Sequence, residues 1–515
     1  MPDTLDQVLA ALPQRFAGPG GAVAVLKDGA VMARHAWGFA DLERRIPFSP
    51  ATMFLICSIS KQFTCATTLL LTDLDRDADA LAAPLAARLP LLAERPGVRH
   101  LAHNQSGLRD YWALTALSGS PVEARFVEGQ ARRLVARTAS LHFAPGTRYS
   151  YCNQNFRLLG DMVAEREGAP LGELMRRHVF DRAGMATAVL NPDTAQVPGF
   201  TVGYEGSQEA GFRPAVNRIT WTGDAGMSAC LDDMIAWEKH IDATRDDPDS
   251  IHSRLAVPVS FSDGRPAGYG YGLARGDMLG RATIGHGGGL RGWRSYRFQA
   301  PGERISVVVL FNHMADPRAA AQLLFAAALG EAVPPLASGP VVEWGGKYVE
   351  PETGLATRID AKPDGRVALH FAGGPEVLAP DGAGGHADGT VRLRHADGAV
   401  VMARGTDNLQ TRLHPAEGEG PRDVAGVYHS AELGAALTVV ESGGAMYAAC
   451  SGELGEGAMV PLVPFAADTW LMPCPRALDF SAPGDWTLSF RRDGGRVAGL
   501  RMGCWLARGI DYVKE

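Results

Sequence analysis

The stretch FLICSISKQFTCATTLLL, Phe54 to Leu71, sets Ser58 and Lys61 three residues apart inside an almost unbroken apolar run. It holds no Gly or Pro and carries Leu, Phe, Cys and Ala around most of its circumference, which predicts a helix buried on every side. Lysine is almost never fully buried without a partner. One reading lets Lys61 snorkel past its neighbours to water. The other is a Ser-x-x-Lys pair on one helix face. Ser58 then falls at the helix start, where the dipole and free N–H groups favour a developing anion. Lys61, desolvated one turn on, is neutral near pH 7 and accepts the serine proton.

Lysine usage favours the second reading. Of the 50 basic residues only Lys27, Lys61, Lys239, Lys347, Lys362 and Lys514 are lysines. Arginine does not deprotonate in a protein, whereas a buried lysine does. A chain that writes Arg for its cations has kept Lys at the one Ser-x-x-Lys in its sequence.

The 515 residues exceed one ordinary core and predict two or three domains. A hydrophobic fraction of 46% and a charged fraction of 21% are those of a globular protein. Net charge of -7, pI about 6.1 and the lack of a basic run argue against a nucleic-acid partner. The opening MPDTLDQVLAALPQRF places Leu5, Val8, Leu9, Leu12 and Phe16 at helical spacing. It has no basic n-region, so a cytoplasmic location is the expectation. No apolar stretch reaches membrane-spanning length, and no membrane partner is expected. The seven cysteines form no C-x-x-C pair and no metal-like spacing, so they read as reduced structural thiols with no metal and no cofactor.

Working outward, GAVAVLKDGAVMARHAWGFAD reads as two strands around a Lys27-Asp28-Gly29 turn. Helical and Pro/Gly-punctuated segments follow, and strands return in RATIGHGGG, RSYRFQAP and RISVVVLFN before an Ala-rich helix from about 317 to 330. Strands at both ends with helices between predict an α/β (α+β) domain over 1–331, its antiparallel sheet flanked by helices. EAVPPLASGP, 331–340, reads as a linker. Short strands between Gly, Asp and Pro turns then predict two small antiparallel β-barrel domains, 341–415 and 424–515. GKYVEPETGL from Gly346 and GVYHSAELGA from Gly426 share Gly, Tyr, Glu and Gly at the same offsets, a short internal repeat.

Two further elements carry chemistry. In YSYCNQNF, Tyr151 and Asn153 form a Tyr-x-Asn, a phenol able to relay a proton and an amide able to orient substrate and lysine. In TIGHGGGLRGW, His286 precedes Gly287, Gly288 and Gly289, glycines that let a substrate approach the backbone closely. A peptide N–H there, with that of Ser58, suits an oxyanion.

Ser-x-x-Lys, Tyr-x-Asn and His-x-Gly in this order resemble the penicillin-recognising serine hydrolases, which include class C β-lactamases, D-Ala-D-Ala carboxypeptidases and related esterases. NQSGLRDYW, Asn104 to Trp112, is similar to that family's His/Asn-x-Ser-Gly-Leu segment. The resemblance implies a β-lactamase-like catalytic domain. The β-rich remainder, with GCWLARGIDY near its end, resembles the bacterial branch whose members carry two eight-stranded barrels and release N-terminal D-amino acids.

That branch implies a serine hydrolase acting through an acyl-enzyme on D-amino-acid-containing peptides or amides, and a homodimer. Ser58 is then the nucleophile, Lys61 its base, Tyr151 the proton relay and Asn153 the orienting amide. His286 stands where many relatives have lysine, and Gly289 pairs with Ser58 around the oxyanion. A loop from the last barrel, PRALDFSAPGD (Pro475 to Asp485), carries Asp479 as the residue that binds the substrate ammonium, with Asp485 as the alternative anchor. Replacing lysine by His286 weakens a carboxylate-binding reading, although Arg291 and Arg294 lie nearby. The same machinery also serves an esterase, a D-amino acid amidase, a β-lactamase or a DD-carboxypeptidase.

Overall fold

Asp28 and Gly29 both take the left-handed conformation (φ 51° and 74°), as a tight two-residue hairpin requires. They join strand Gly20–Lys27 to strand Ala30–Asp41. The computed structural model describes residues 3–72, 78–474, 478–479 and 484–515. Gly20–Lys27 pairs on its other edge with Ile305–Phe311, so the first and last long strands of the domain close on one another. They lie inside an eight-stranded antiparallel sheet that runs outward through Trp293–Ala300 and Arg281–Leu290. The short strands Leu273–Met278 and Tyr269–Gly270 extend its edge beyond the sequence reading.

Alternation along the first strand sends its side chains to two cores. Val23 and Val25 pack with Leu12, Phe298, Leu324 and Phe325, beneath the helices Leu5–Arg15 and Pro317–Leu329. Ala22, Ala24 and Leu26 face the main helical layer with Phe54, Phe63 and Trp237. A strand buried on both faces reads as a continuous apolar run, which is how GAVAVL is written.

The helix Ser60–Leu71 sits in that layer, with every residue from Ser60 to Leu69 buried. Its threonines survive burial by bonding their own backbone: Thr67 to Phe63 O at 2.9 Å, Thr68 to Thr64 O at 2.8 Å. Ser58 stands one step ahead of the expected α-helix, in a 3-10 turn, Cys57–Ile59. Lys61 is 0% exposed, which removes the snorkelling reading.

Strands from Gly346–Val349 to Leu409–Pro415 form a closed eight-stranded antiparallel barrel around Leu369, Phe371, Leu393 and Met402. The second β unit departs from an eight-stranded barrel. It is a ten-stranded sheet, and no continuous ladder joins its two ends among the described residues. Val460–Pro461 pairs with one end and Val463–Ala466 with the other, so a single kinked segment bridges the gap. Pro461 and Pro464 have no N–H to continue a ladder there. Ala113, Leu114 and Leu117 of the N-terminal-domain helix Tyr111–Leu117 also enter this core.

The short repeat has a structural counterpart. Tyr348 Oη donates to Trp344 O at 2.6 Å and Tyr428 Oη to Val424 O at 2.5 Å. Gly354 and Gly434 both take positive φ and donate to the carbonyl four residues back, at 2.8 and 2.9 Å. Even the shared glutamates act alike, docking the two halves on the N-terminal domain: Glu352 meets Arg148 at 2.6 Å and Glu432 meets Arg109 at 3.0 Å. Among the described residues, no helix is long and apolar enough to cross a membrane.

Candidate active site

Lys61 reaches Ser58 because the 3-10 turn hands directly into the helix that carries it. Its Nζ lies 3.1 Å from Ser58 Oγ, 2.8 Å from Asn153 Oδ1 and 2.7 Å from the Asp224 carbonyl. Three oxygens fill its hydrogen-bonding capacity, yet none belongs to a carboxylate. Burial therefore dominates and lowers the ammonium from 10.5 to about 8, with the charges of Asp224 and Asp110 acting the other way. Nζ also sits 4.9 Å from the centre of the Tyr151 ring. Burial pushes the Tyr151 phenol well up, while a hydrogen bond with Ser58 works against that.

The NQSGLRDYW segment is the frame for Tyr151 and Asn153. Asn104 accepts from Cys152 N at 3.2 Å and from Asn155 Nδ2 at 3.0 Å, and Ser106 bonds Asn155 Oδ1 at 2.9 Å. Asp110 takes both the backbone N–H and the Nδ2 of Asn153, at 2.5 and 3.0 Å. Burial raises Asp110 to about 6.

His286 closes the other side, its ring centre 6.1 Å from that of Tyr151. Nε2 meets Tyr269 Oη at 3.0 Å, and Nδ1 meets the Gly287 carbonyl. The carbonyl can only accept, which assigns the proton to Nδ1 and makes Nε2 an acceptor. Burial, with Lys61 second, lowers His286 to about 3, so it is a neutral group and no cation for a carboxylate. The neighbouring strand pairs only as far as Gly285, leaving that edge of His286 to Gly289 without a strand partner among the described residues. Gly288 fits tightly on the serine turn: a Cβ there would stand 2.4 Å from Ile56 O and 3.0 Å from Cys57 Cβ.

Asp479 comes from the far end of the chain and lies in the catalytic domain, 2% exposed. One oxygen accepts from Thr194 Oγ1 at 2.6 Å and Ile219 N at 3.2 Å, the other from Arg218 N at 3.1 Å. These donors are all neutral, and burial raises the carboxyl to about 6. Its charge is felt at Cys57, next to Ser58. Asp485 is exposed and near His370 of the first barrel, so the two aspartates part company. Residues 475–477 and 480–483 of this loop lie outside the described residues.

A family model described as Beta-lactamase matches residues 5–331, and one described as D-aminopeptidase, domain B matches residues 338–513. The chain is 51% identical over 521 residues to the D-aminopeptidase of Gluconobacter oxydans (strain 621H), covering 99% of this chain and 98% of that one. Identity to the D-aminopeptidase of Brucella ovis is 46% over 518 residues, with the same coverage. The chain belongs to the D-aminopeptidase family.

Solved structures share the fold of this D-aminopeptidase-family chain at low identity. The octameric penicillin-binding protein homologue from Pyrococcus abyssi matches at TM-score 0.52 and 20% identity, over 79% of this chain and 98% of its own. The D-amino acid amidase from Ochrobactrum anthropi SV3 matches at TM-score 0.53 and 17% identity, over 63% and 98%.

Several groups that shape this site of the D-aminopeptidase-family chain escaped the sequence reading. Asp110 and Tyr111 lie inside NQSGLRDYW, where no local pattern marks them. Tyr111 Oη bonds Asp224 Oδ2 at 2.5 Å, fixing the residue whose carbonyl holds Lys61. No local pattern marks Asp224. Arg291 is not free for a substrate carboxylate, because it is buried against Glu205 at 2.7 Å and Glu123 at 3.1 Å. Its charge is already spoken for.

Proposed function

We propose that the chain is a serine hydrolase that releases N-terminal D-amino acids, small ones such as D-Ala, from peptides and amides through an acyl-enzyme on Ser58. Neutral Lys61 takes the proton as Ser58 Oγ attacks the carbonyl carbon. The N–H groups of Ser58 and Gly289 hold the oxyanion. Tyr151 carries the proton onto the leaving nitrogen, the C–N bond breaks, and Asn153 keeps Lys61 and substrate aligned. Water then attacks the ester by the reverse relay, releasing the amino acid and restoring Ser58 and Lys61.

The observation that carries the aminopeptidase reading is Asp479. A buried carboxylate held only by neutral donors, within electrostatic reach of the serine turn, calls for a cation. The α-ammonium of an N-terminal residue supplies it, as a desolvated charge-assisted contact. Neutral His286 and an Arg291 already paired with Glu205 offer no charge to a substrate carboxylate, and Arg294 is a cation whose charge is felt at Cys57.

Rates on D-Ala-p-nitroanilide, its N-acetyl derivative and L-Ala-p-nitroanilide test the reading. Cleavage of the first alone supports it, and equal rates on the acetylated compound point to an esterase- or lactamase-like site. Equal rates on the L-compound remove the D-specific claim. We extend the proposal to the cytoplasm, since the seven cysteines are free and buried, as suits a reducing compartment, and to a homodimer, which only the family resemblance implies. Sedimentation of the full chain and cell fractionation test those two points.

A further inference from the structure

Leu478 and Asp479 are fixed from behind by one residue. Arg291 donates its backbone N–H to the Asp479 carbonyl and Nη1 to the Leu478 carbonyl at 3.3 Å. It is 2% exposed. Nε and Nη2 grip the two oxygens of Glu205 at 3.1 and 2.7 Å, and Nη2 also meets Glu123 at 3.1 Å. Its own carbonyl accepts from Asn217 Nδ2 at 3.2 Å. The residue follows directly on the strand Arg281–Leu290 that holds His286 and Gly289.

Arg291 therefore ties the serine-site strand, the hairpin strand Tyr204–Ser207 and the loop around Glu123 to a segment 188 positions later in the chain. The planar fork is needed for this. It addresses a carboxylate with two parallel bonds while a further N–H reaches a main-chain carbonyl, which a lysine ammonium cannot reproduce. Glu205 and Glu123 already more than neutralise the guanidinium, and the Asp479 carboxylate faces Thr194, Arg218 and Ile219 instead.

We propose that Arg291, paired with Glu205, is a positioning residue that latches the Leu478–Asp479 segment and so sets selectivity for a free N-terminal amine. The inference rests on Asp479 as the ammonium anchor. Arg291 touches no reacting atom and acts on the substrate only through where it holds that carboxylate.

Four full-length proteins test this: wild type, Arg291→Gln, Asp479→Asn and the double variant, each assayed on D-Ala-p-nitroanilide and on p-nitrophenyl acetate, an ester with no amine. Arg291→Gln is expected to raise KM for the anilide tenfold or more with kcat within threefold, while kcat/KM on the ester stays within threefold. The double variant is expected to match Asp479→Asn, because a latch has nothing to add once its anchor is gone. Arg291→Lys is expected to behave like Arg291→Gln. Glu205→Gln, which keeps the arginine and the packing, is expected to raise KM in the same direction by a smaller factor.

Equal losses on anilide and ester across both Arg291→Gln and Glu205→Gln mean a general structural role and overturn the proposal. So do full rescue by lysine and additive effects in the double variant. If Asp479→Asn leaves the anilide KM unchanged, it is the anchor reading that falls, and that result is separate from any of the Arg291 outcomes.

Discussion

Lys61 and Asp110, opposite charges in one buried site, do not touch: the amide of Asn153 stands between them, accepting from Nζ at 2.8 Å and donating to Asp110 Oδ2 at 3.0 Å. Direct pairing would hold the ammonium in its charged form. Separation by one amide keeps Asp110 as a weaker, distance-diluted influence, and burial wins. The site thus has a lysine whose proton is lost near neutrality and a mechanical link that keeps it aligned on Ser58.

That balance gives a pH dependence with a defined sign. As the proposed base, Lys61 must be neutral to accept the serine proton, so kcat/KM is expected to rise with pH and level off above about 8. Asp110 raises the lysine pKa, so Asp110→Asn lowers it and moves the acidic limb to lower pH. Stopped-flow acylation with p-nitrophenyl acetate across pH 5 to 10 reads the limb, and an upward move in the variant contradicts the assignment.

Lys61→Arg keeps the charge but supplies no proton acceptor. The expected result is a loss of roughly 10²–10⁴ in acylation rate, with a folded, soluble protein of lower melting temperature, since a larger cation now fills a site that is 0% exposed. Intact-mass spectrometry after a reactive ester shows the adduct in wild type and its absence in the variant. Circular dichroism checks the fold.

Asp479 adds a second limb on one class of substrate. Burial raises its carboxyl to about 6, so below that pH it is protonated and no longer attracts an ammonium. KM for D-Ala-p-nitroanilide should rise as pH falls through 6, while p-nitrophenyl acetate shows no such limb. The Thr194 hydroxyl lowers the Asp479 pKa, so Thr194→Val should move this limb upward.

The two neighbouring glycines of TIGHGGG separate packing from composition. A Cβ at Gly288 would stand 2.2 Å from Ser295 Oγ and 2.4 Å from Ile56 O, pushing the strand off the turn that carries Ser58. Gly288→Ala is expected to lose at least about tenfold in activity and about 1–3 kcal/mol in stability. At Gly287 the first atom met is Tyr296 Cδ2 at 3.4 Å, an ordinary contact. Gly287→Ala should stay within about 0.5 kcal/mol of wild type in urea unfolding.

What the sequence settled was local or written as a pattern. The apolar run around Lys61, the Asp28-Gly29 hairpin and the alternation of GAVAVL specify their elements by spacing alone, because helix and strand periods repeat over a few residues. The order of Ser58, Tyr151 and His286 added a family resemblance that implied a cluster; in the structure Lys61 meets Ser58 and Asn153 and faces the Tyr151 ring, which lies 6.1 Å from that of His286. The internal repeat was visible as four matching letters, though not the two short strands with Pro461 and Pro464 between which the second sheet has no continuous ladder among the described residues.

The environment of each group was decided only by the tertiary structure. Whether Lys61 snorkels or is buried depends on packing from every side. Arg291 reads from the sequence as a spare cation, and the fold spends it on Glu205, Glu123 and the Leu478 carbonyl. Asp479 and Asp485 are six residues apart and chemically identical, and the catalytic domain buries one while the other stays exposed. The physical reason is common to all three: a charge takes its meaning from burial and from partners tens to hundreds of positions away, and neither has a period that a linear sequence can display.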